Sequence, residues 1–178
     1  EHAIEYADKM IDEFWSEEDK MFYDSGTSST DTLVRASTSQ DNITASGISV
    51  ACEVLIKLSK ILNEKQYEKI VVDQIESAST EITKFPAAHC NWAKLLGENT
   101  YDEQLVLAGK DLNEFIAISN SIYSPNLVFG FNNNDNEYFI NKDKKMIDGE
   151  PAAYICKNYT CKEPLNSTVN LSNNLMDL

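Results

Sequence analysis

Apolar residues at Ala3, Ile4, Ala7, Met10, Ile11, Phe14 and Trp15 recur every three or four positions, which puts them on one face of a helix over 3–15. A polar turn then precedes Met21, Phe22 and Tyr23, a pattern that predicts a short hairpin folded over the helix end. The stretch 26–32 is small and rich in Ser and Thr, so it reads as a loop, and 32–35 as a brief extended segment. Thr44, Ser46 and Gly47 can cap the next helix, whose stripe is Ile48, Ala51, Cys52, Leu55, Leu58 and Leu62, widened by Val54 and Ile61, so the helix is expected to be buried against at least two neighbours. After a turn at 63–65, a third helix is predicted over 66–84, with Ile70, Val71, Ile75, Ala78 and Ile82 facing inward. Phe85 and Pro86 break it, a fourth helix is predicted over 87–96, and Gly97 is placed to stop that one.

Beyond 101 the period changes. The run 104–108 is continuously apolar apart from Gln104, the form of a strand buried on both faces. Asp111 is placed to cap a helix reaching Asn120, and 126–131 reads as a second strand, so the three make a β-α-β unit. A loop is predicted over 132–136, a strand-like piece at 138–140, and a strand at 152–155 running into a tight polar return bracketed by Cys156 and Cys161. The Asn/Ser-rich stretch after Pro164 is expected to be poorly ordered. The fold class is therefore α+β, divided into a helical region over 1–100, a small α/β element over 101–164 and a flexible tail over 165–178.

With 15 basic and 29 acidic residues and a net charge of −14, the chain lacks the cationic footprint that nucleic acid binding requires. The basic side is almost all lysine. Arg35 is the only arginine, hence the only side chain able to offer a carboxylate a rigid bidentate fork. No apolar run approaches the roughly 20 residues needed to span a bilayer, which excludes a membrane partner of that kind. The first residues show neither a basic start nor an apolar signal core, so the expected location is cytoplasmic. A beginning inside a helical pattern and without Met suggests a piece of something longer.

The four cysteines, Cys52, Cys90, Cys156 and Cys161, are too few for a disulfide scaffold at this length, and intracellular thiols are the default expectation. Cys156 and Cys161 read either as a redox pair or half a metal site, or as two thiols or a structural clip on a loop. No metal is expected, because neither His2 nor His89 lies near that loop in sequence and structural zinc takes four ligands. A disulfide there is geometrically feasible, although the compartment argues against its permanence. His89 and Cys90 are neighbours and would point in different directions on a helix, which rules out a Cys-His dyad. His89 reads as a structural histidine more readily than as a proton shuttle. Asn42, Asn158, Asn166 and Asn170 begin N-x-S/T sequons at a frequency expected of an Asn-rich chain.

Two stretches carry a family resemblance. Tyr154-Ile-Cys156-Lys-Asn158-Tyr-Thr-Cys161-Lys-Glu-Pro164 is similar to a terminal Tyr-Val-Cys-x-Asn-x-x-Cys-x-x-Pro pattern, and Arg35, Asp41, Ser46 and Ser49 fit an upstream one. At two places the chain departs from that upstream pattern, with Ala45 in place of a proline and Ile48 in place of an asparagine. On these motifs and on the order of elements up to Pro164, the chain resembles the C-terminal region of the thioredoxin-domain-containing protein family that includes spermatogenesis-associated protein 20.

The resemblance implies the last helices of an α/α toroid similar to those of N-acylglucosamine 2-epimerases and related glycan enzymes. It implies no thioredoxin-type dithiol, because no Cys-x-x-Cys is present. Arg35 and Asp41 are the implied substrate-binding pair, holding sugar hydroxyls or a carboxyl group, or else a pair that pins their loop. Trp15 and Tyr23, with Phe22, are an implied stacking floor for a sugar, or core beneath the hairpin.

The implied ligand is a carbohydrate, no cofactor is called for, and no catalytic residue can be assigned. The leading reading is a C-terminal fragment, structural and inactive alone, of a protein with a glycan-enzyme-like toroid. Any enzyme it belongs to would be epimerase- or isomerase-like. The alternatives are a non-catalytic interaction module and a thiol redox module using Cys156 and Cys161. Exposed apolar helix faces should dock the rest of a parent chain or drive self-association.

Overall fold

The computed structural model describes residues 1–100, 103–124, 126–133, 138–158 and 160–176, with the backbone alone at 98–100. Its contacts divide the chain into two compact units, residues 1–59 with 64–99, and residues 60–63 with 100–178. It is an α+β protein.

In the first unit, helix α1 covers His2–Phe14 and buries Ala7, with Ile4, Met10, Ile11 and Phe14 half-buried beside it. It ends where Trp15 turns extended at ψ 139° and begins strand β1, Trp15–Ser16. Strand β2, Met21–Phe22, returns antiparallel, with Trp15 opposite Phe22, so the predicted hairpin forms. The chain reversal places Lys20 at φ 56°. The long connection to the next helix contains no strand; the extended segment expected at 32–35 is absent as a paired element.

Helix α2, Gly47–Leu62, buries Ile48, Ala51, Cys52, Leu55 and Ile56. The Ser49 amide donates to Ser46 Oγ at 3.2 Å, making Ser46 the cap. Helix α3, Lys65–Lys84, is capped by Glu64, whose carboxylate accepts from the Gln66 amide at 3.1 Å. Its buried face is Tyr67, Ile70, Val71, Gln74 and Ala78, whereas Ile75 and Ile82 are half-buried, so the inner stripe is rotated toward Tyr67 and Gln74. The polar Gln74 is buried because it completes the hairpin: its Oε1 accepts the Phe22 amide at 2.6 Å, satisfying that backbone donor.

The fourth helix departs from the sequence expectation at both ends. Pro86–Ala88 form a 3-10 turn, and helix α4 runs over Cys90–Thr100. Gly97 does not stop it. A glycine inside a helix costs only about 1 kcal/mol relative to alanine, and the buried Trp92 and Leu95 anchor the preceding turn.

The second unit is a four-stranded sheet of order β4-β3-β5-β6. Strand β3, Glu103–Ala108, is buried along its whole length and central, as its apolar run predicts. It pairs parallel with β4, Leu127–Asn132, across helix α5, Asn113–Ser121, so the β-α-β unit is present. Asp111 does not cap α5. It sits at φ 57° in the turn, and the cap position falls to Leu112, which supplies no side-chain bond. Strand β5, Ala152–Lys157, lies antiparallel to β3, and β6, Thr160–Cys161, antiparallel to β5.

The strand-like piece expected at 138–140 is a 3-10 turn, Phe139–Asn141, laid against the sheet. Gly130 permits that approach, since a Cβ there would come within 2.7 Å of Asn141 Oδ1 and 3.0 Å of Val106 Cγ2. The loop expected at 132–136 begins with a residue of β4, and 134–136 lie outside the described residues.

The tail expected to be poorly ordered is helix α6, Thr168–Met176. Leu171 and Leu175, one helical turn apart, enter the core formed by Leu105, Leu107, Phe115, Leu127, Ala153 and Ile155. Ser167 caps the helix by accepting the Asn170 amide at 3.2 Å, and Leu165 exchanges two 2.8 Å backbone bonds with Ala153. Composition suggested solvent, but two leucines at the right spacing and one cap suffice to dock a short helix.

Candidate functional site

In the first unit the structure gathers three of the implied ligand residues at the end of α1. Trp15 and Phe22 meet edge to face with ring centres 5.0 Å apart, and Trp15 Nε1 donates to Glu17 at 3.0 Å. The Arg35 guanidinium lies 4.3 Å from the centre of the Tyr23 ring. Its Nε and Nη2 donate to the Ser25 carbonyl at 3.0 and 2.9 Å, and Nη2 also donates to the Glu13 carbonyl at 3.3 Å. A cation on the Glu13 carbonyl, in the last turn of α1, complements the negative end of that helix. Tyr23 donates its hydroxyl to Asp19 at 2.9 Å. Beside this cluster, between α1, β2 and the start of α2, is a cavity of about 260 Å³ walled mainly by Met10, Phe14, Phe22, Tyr23 and Ile48.

Asp41 is not part of that group and forms no ion pair with Arg35. Its Oδ1 accepts from the Ser46 amide at 2.9 Å and the Ser49 hydroxyl at 3.1 Å, and its Oδ2 from the Asn91 amide at 2.8 Å. One carboxylate thus serves the amino ends of both α2 and α4, where orphan amides and the helix dipoles favour a negative charge. Asn91 closes the arrangement by donating Nδ2 to Ser49 Oγ at 3.0 Å.

His89 is buried with its Nδ1 2.9 Å from the Phe85 carbonyl, which can only accept, so the proton is on Nδ1. Nε2 faces Ser39 Oγ at 3.2 Å, and Trp92 Nε1 donates to the Ser39 carbonyl at 2.7 Å. These contacts fix the loop at Ser39 to the turn that begins α4, as a structural histidine would.

In the second unit Cys156 and Cys161 are joined by a disulfide, so the expectation of four thiols gives way to one bond plus the free Cys52 and Cys90. The two half-cystines face each other across β5 and β6, with the Lys162 amide bonded to the Ile155 carbonyl at 3.0 Å beside them. The link is asymmetric: Cys156 is 1% exposed in the sheet, whereas Cys161 is exposed. Both line a cavity of about 330 Å³ together with Gln104, Phe139, Lys142, Asp143 and Lys144. Burial pulls the Lys144 ammonium below its ordinary value, with Asp143 acting the other way. Of the free cysteines, Cys52 is sealed in α2, and burial pushes its thiol up to about 12, which makes it inert at neutral pH.

Gln104, Lys142 and Lys144 were not among the sequence candidates. Gln104 had a visible signal, a polar side chain opening an apolar run that is buried on both faces. The lysines had none, since only the packing of 138–146 on the sheet brings them to the disulfide. Among the described residues no His, Cys, Asp or Glu side chains converge into a metal-ligating set, and no helix is long and apolar enough to cross a membrane. No family model, curated protein or solved structure matches the chain.

Proposed function

We propose that this chain is a structural part of a larger protein of the thioredoxin-domain-containing kind it resembles, and that its chemically addressable group is a reversible disulfide clip, Cys156–Cys161. The observation that carries the proposal is the contrast in how the candidates are used. Arg35 directs its donors to two backbone carbonyls, Asp41 commits both oxygens to two helix ends, and Trp15 is buried within the hairpin against Phe22. The disulfide instead presents an exposed sulfur-bearing residue to a cavity lined by two lysines.

A carbohydrate ligand would have to use the apolar cavity beside Tyr23, with Arg35 released from Ser25 and Glu13. A protein-interaction role draws support from Leu33 at 102% exposed, Ile43 at 99% and Val34 at 80%, apolar side chains set outward on the connection before α2.

The test is thiol counting by mass spectrometry on native protein equilibrated in graded glutathione buffers. The clip reading expects two additional alkylated cysteines, mapped to Cys156 and Cys161, to appear across the glutathione range while the fold persists. Their appearance only on unfolding would leave a permanent structural bond and defeat the reversible role.

A further inference from the structure

The cavity at the disulfide has features that reversible opening alone does not require. In a chain of net charge −14, two of the three charged side chains around it are cationic, Lys142 and Lys144, against Asp143. Gln104, buried in the central strand, adds a polar amide to the wall, and Phe139 an apolar face. The volume, about 330 Å³, is that of a site for a small organic molecule rather than for a single ion. The half-cystine on the open side is Cys161, and the one on the sheet side is Cys156.

We propose that this cavity is a binding site for a small carboxylate-bearing thiol, which Lys142 and Lys144 hold while its sulfur attacks Cys161. The proposal rests on the reversible disulfide assigned above. The thiolate of the bound molecule attacks Cys161 Sγ. The Cys156–Cys161 bond breaks, a mixed disulfide forms at Cys161, and the electron pair leaves on Cys156 as a thiolate. A second equivalent of the same thiol then attacks the small-molecule sulfur of the mixed disulfide, releasing the oxidised dimer of the thiol and a Cys161 thiolate. Each protein thiolate takes its proton from water. Two electrons pass from two thiols to the protein.

The ammonium groups serve both stages. They attract the carboxylates of the incoming molecule and stabilise the negative charge that develops on the departing Cys156 sulfur. Both half-cystines border the cavity, but Cys161 is the exposed residue and Cys156 the one buried in the sheet, which favours attack at Cys161 by a molecule arriving from solvent. The product of the first stage would be a small-molecule adduct on Cys161, a modification whose formation loosens β6 from β5.

The experiment follows opening of the oxidised, full chain by glutathione and, separately, by the uncharged thiol 2-mercaptoethanol, in the wild type, in Lys142→Gln, and in Lys142→Gln/Lys144→Gln. With glutathione the rate should saturate with concentration, and the double variant should slow it about tenfold. With 2-mercaptoethanol the rate should stay linear and fall by no more than about threefold. Quenched peptide mapping should place the first adduct on Cys161. Equal slowing with both thiols, linear kinetics with glutathione, or an adduct on Cys156 overturns the binding site while the reversible disulfide stands. A bond that neither thiol nor dithiothreitol opens in the native protein overturns the reversible disulfide as well. Lys142 is exposed, so the single variant, with an expected loss of about threefold toward glutathione and an unchanged rate with 2-mercaptoethanol, keeps the test open if the double variant folds poorly.

Discussion

Two stretches of chain, one irregular and one built on a six-residue strand, are held in different ways. The connection 23–46 has no paired strand; isolated backbone bonds, Asp24 to Ala36, Thr27 to Glu13 and Asp41 to Ala88, hold it only at points, and side chains bonding to backbone do the rest: Arg35 to Ser25 and Glu13, Trp92 to Ser39, Asp41 to Ser46 and Asn91. The segment 152–165 is fastened by backbone pairing to β3, β6 and Leu165, with one covalent bond added across it. The lesson is about where chemistry remains available. Polar groups that replace a missing ladder are consumed by doing so, whereas a stretch already satisfied by its ladder can present a disulfide to solvent.

The largest effect should come from the end of the second unit. Leu171→Ala removes a fully buried side chain and should cost about 2–5 kcal/mol, read by urea unfolding; a loss below about 0.5 kcal/mol would mean α6 is not docked. Asp41→Ala should follow at about 2–3 kcal/mol, since three hydrogen bonds at two helix ends depend on one carboxylate. An Asp41→Ala protein as stable as wild type would return Asp41 to the role of a free ligand residue and break the contrast.

Cys161→Ser should cost about 2 kcal/mol, the loop-closure value for so short a ring, seen as a lower unfolding midpoint only in comparison with the oxidised wild type. Arg35→Ala should cost about 1 kcal/mol through the lost stacking on Tyr23 and the lost carbonyl bonds, read by thermal unfolding.

The smallest effect concerns acid. The hydrogen bond from Lys20, with others from Trp15 and Lys69, holds the Glu17 carboxyl down to about 2, from a usual 4.5. Because the folded value is the lower one, this contribution is present above pH 4.5 and is lost as pH falls from 4.5 toward 2. Glu17→Gln should therefore flatten the acid limb of the stability profile slightly, the group being open to solvent. A steep unchanged limb would assign acid sensitivity elsewhere.

Periodic stretches were legible in the sequence because one physical rule governs each. The first half of the α2 stripe, Ile48 to Leu55, the two-face burial of β3 and the alternation between β3, α5 and β4 follow from spacing alone, whereas Leu58 and Leu62 of that stripe are only half-buried. The errors came from punctuation. Gly97 and Asp111 carry stop and cap propensities worth about 1 kcal/mol each, and tertiary anchors such as Trp92 and Leu95 outweigh them. In α6 the Asn/Ser background hid a Leu171–Leu175 pair that packing selects. The candidate site was half legible. The spacing of Cys156 and Cys161 was visible, but the partnership of Asp41 with Asn91 spans 50 positions with no local pattern, and the lysines reach the disulfide only through the fold.

The most direct test of the central claim is hydrogen exchange on the intact chain, oxidised against reduced under native conditions. The account predicts that opening Cys156–Cys161 raises exchange at the Lys162 amide and along 152–165. It also predicts that the Ser46, Ser49 and Asn91 amides, held by hydrogen bonds alone, keep their protection. Unchanged exchange over 152–165, or loss of protection throughout both units, would contradict it.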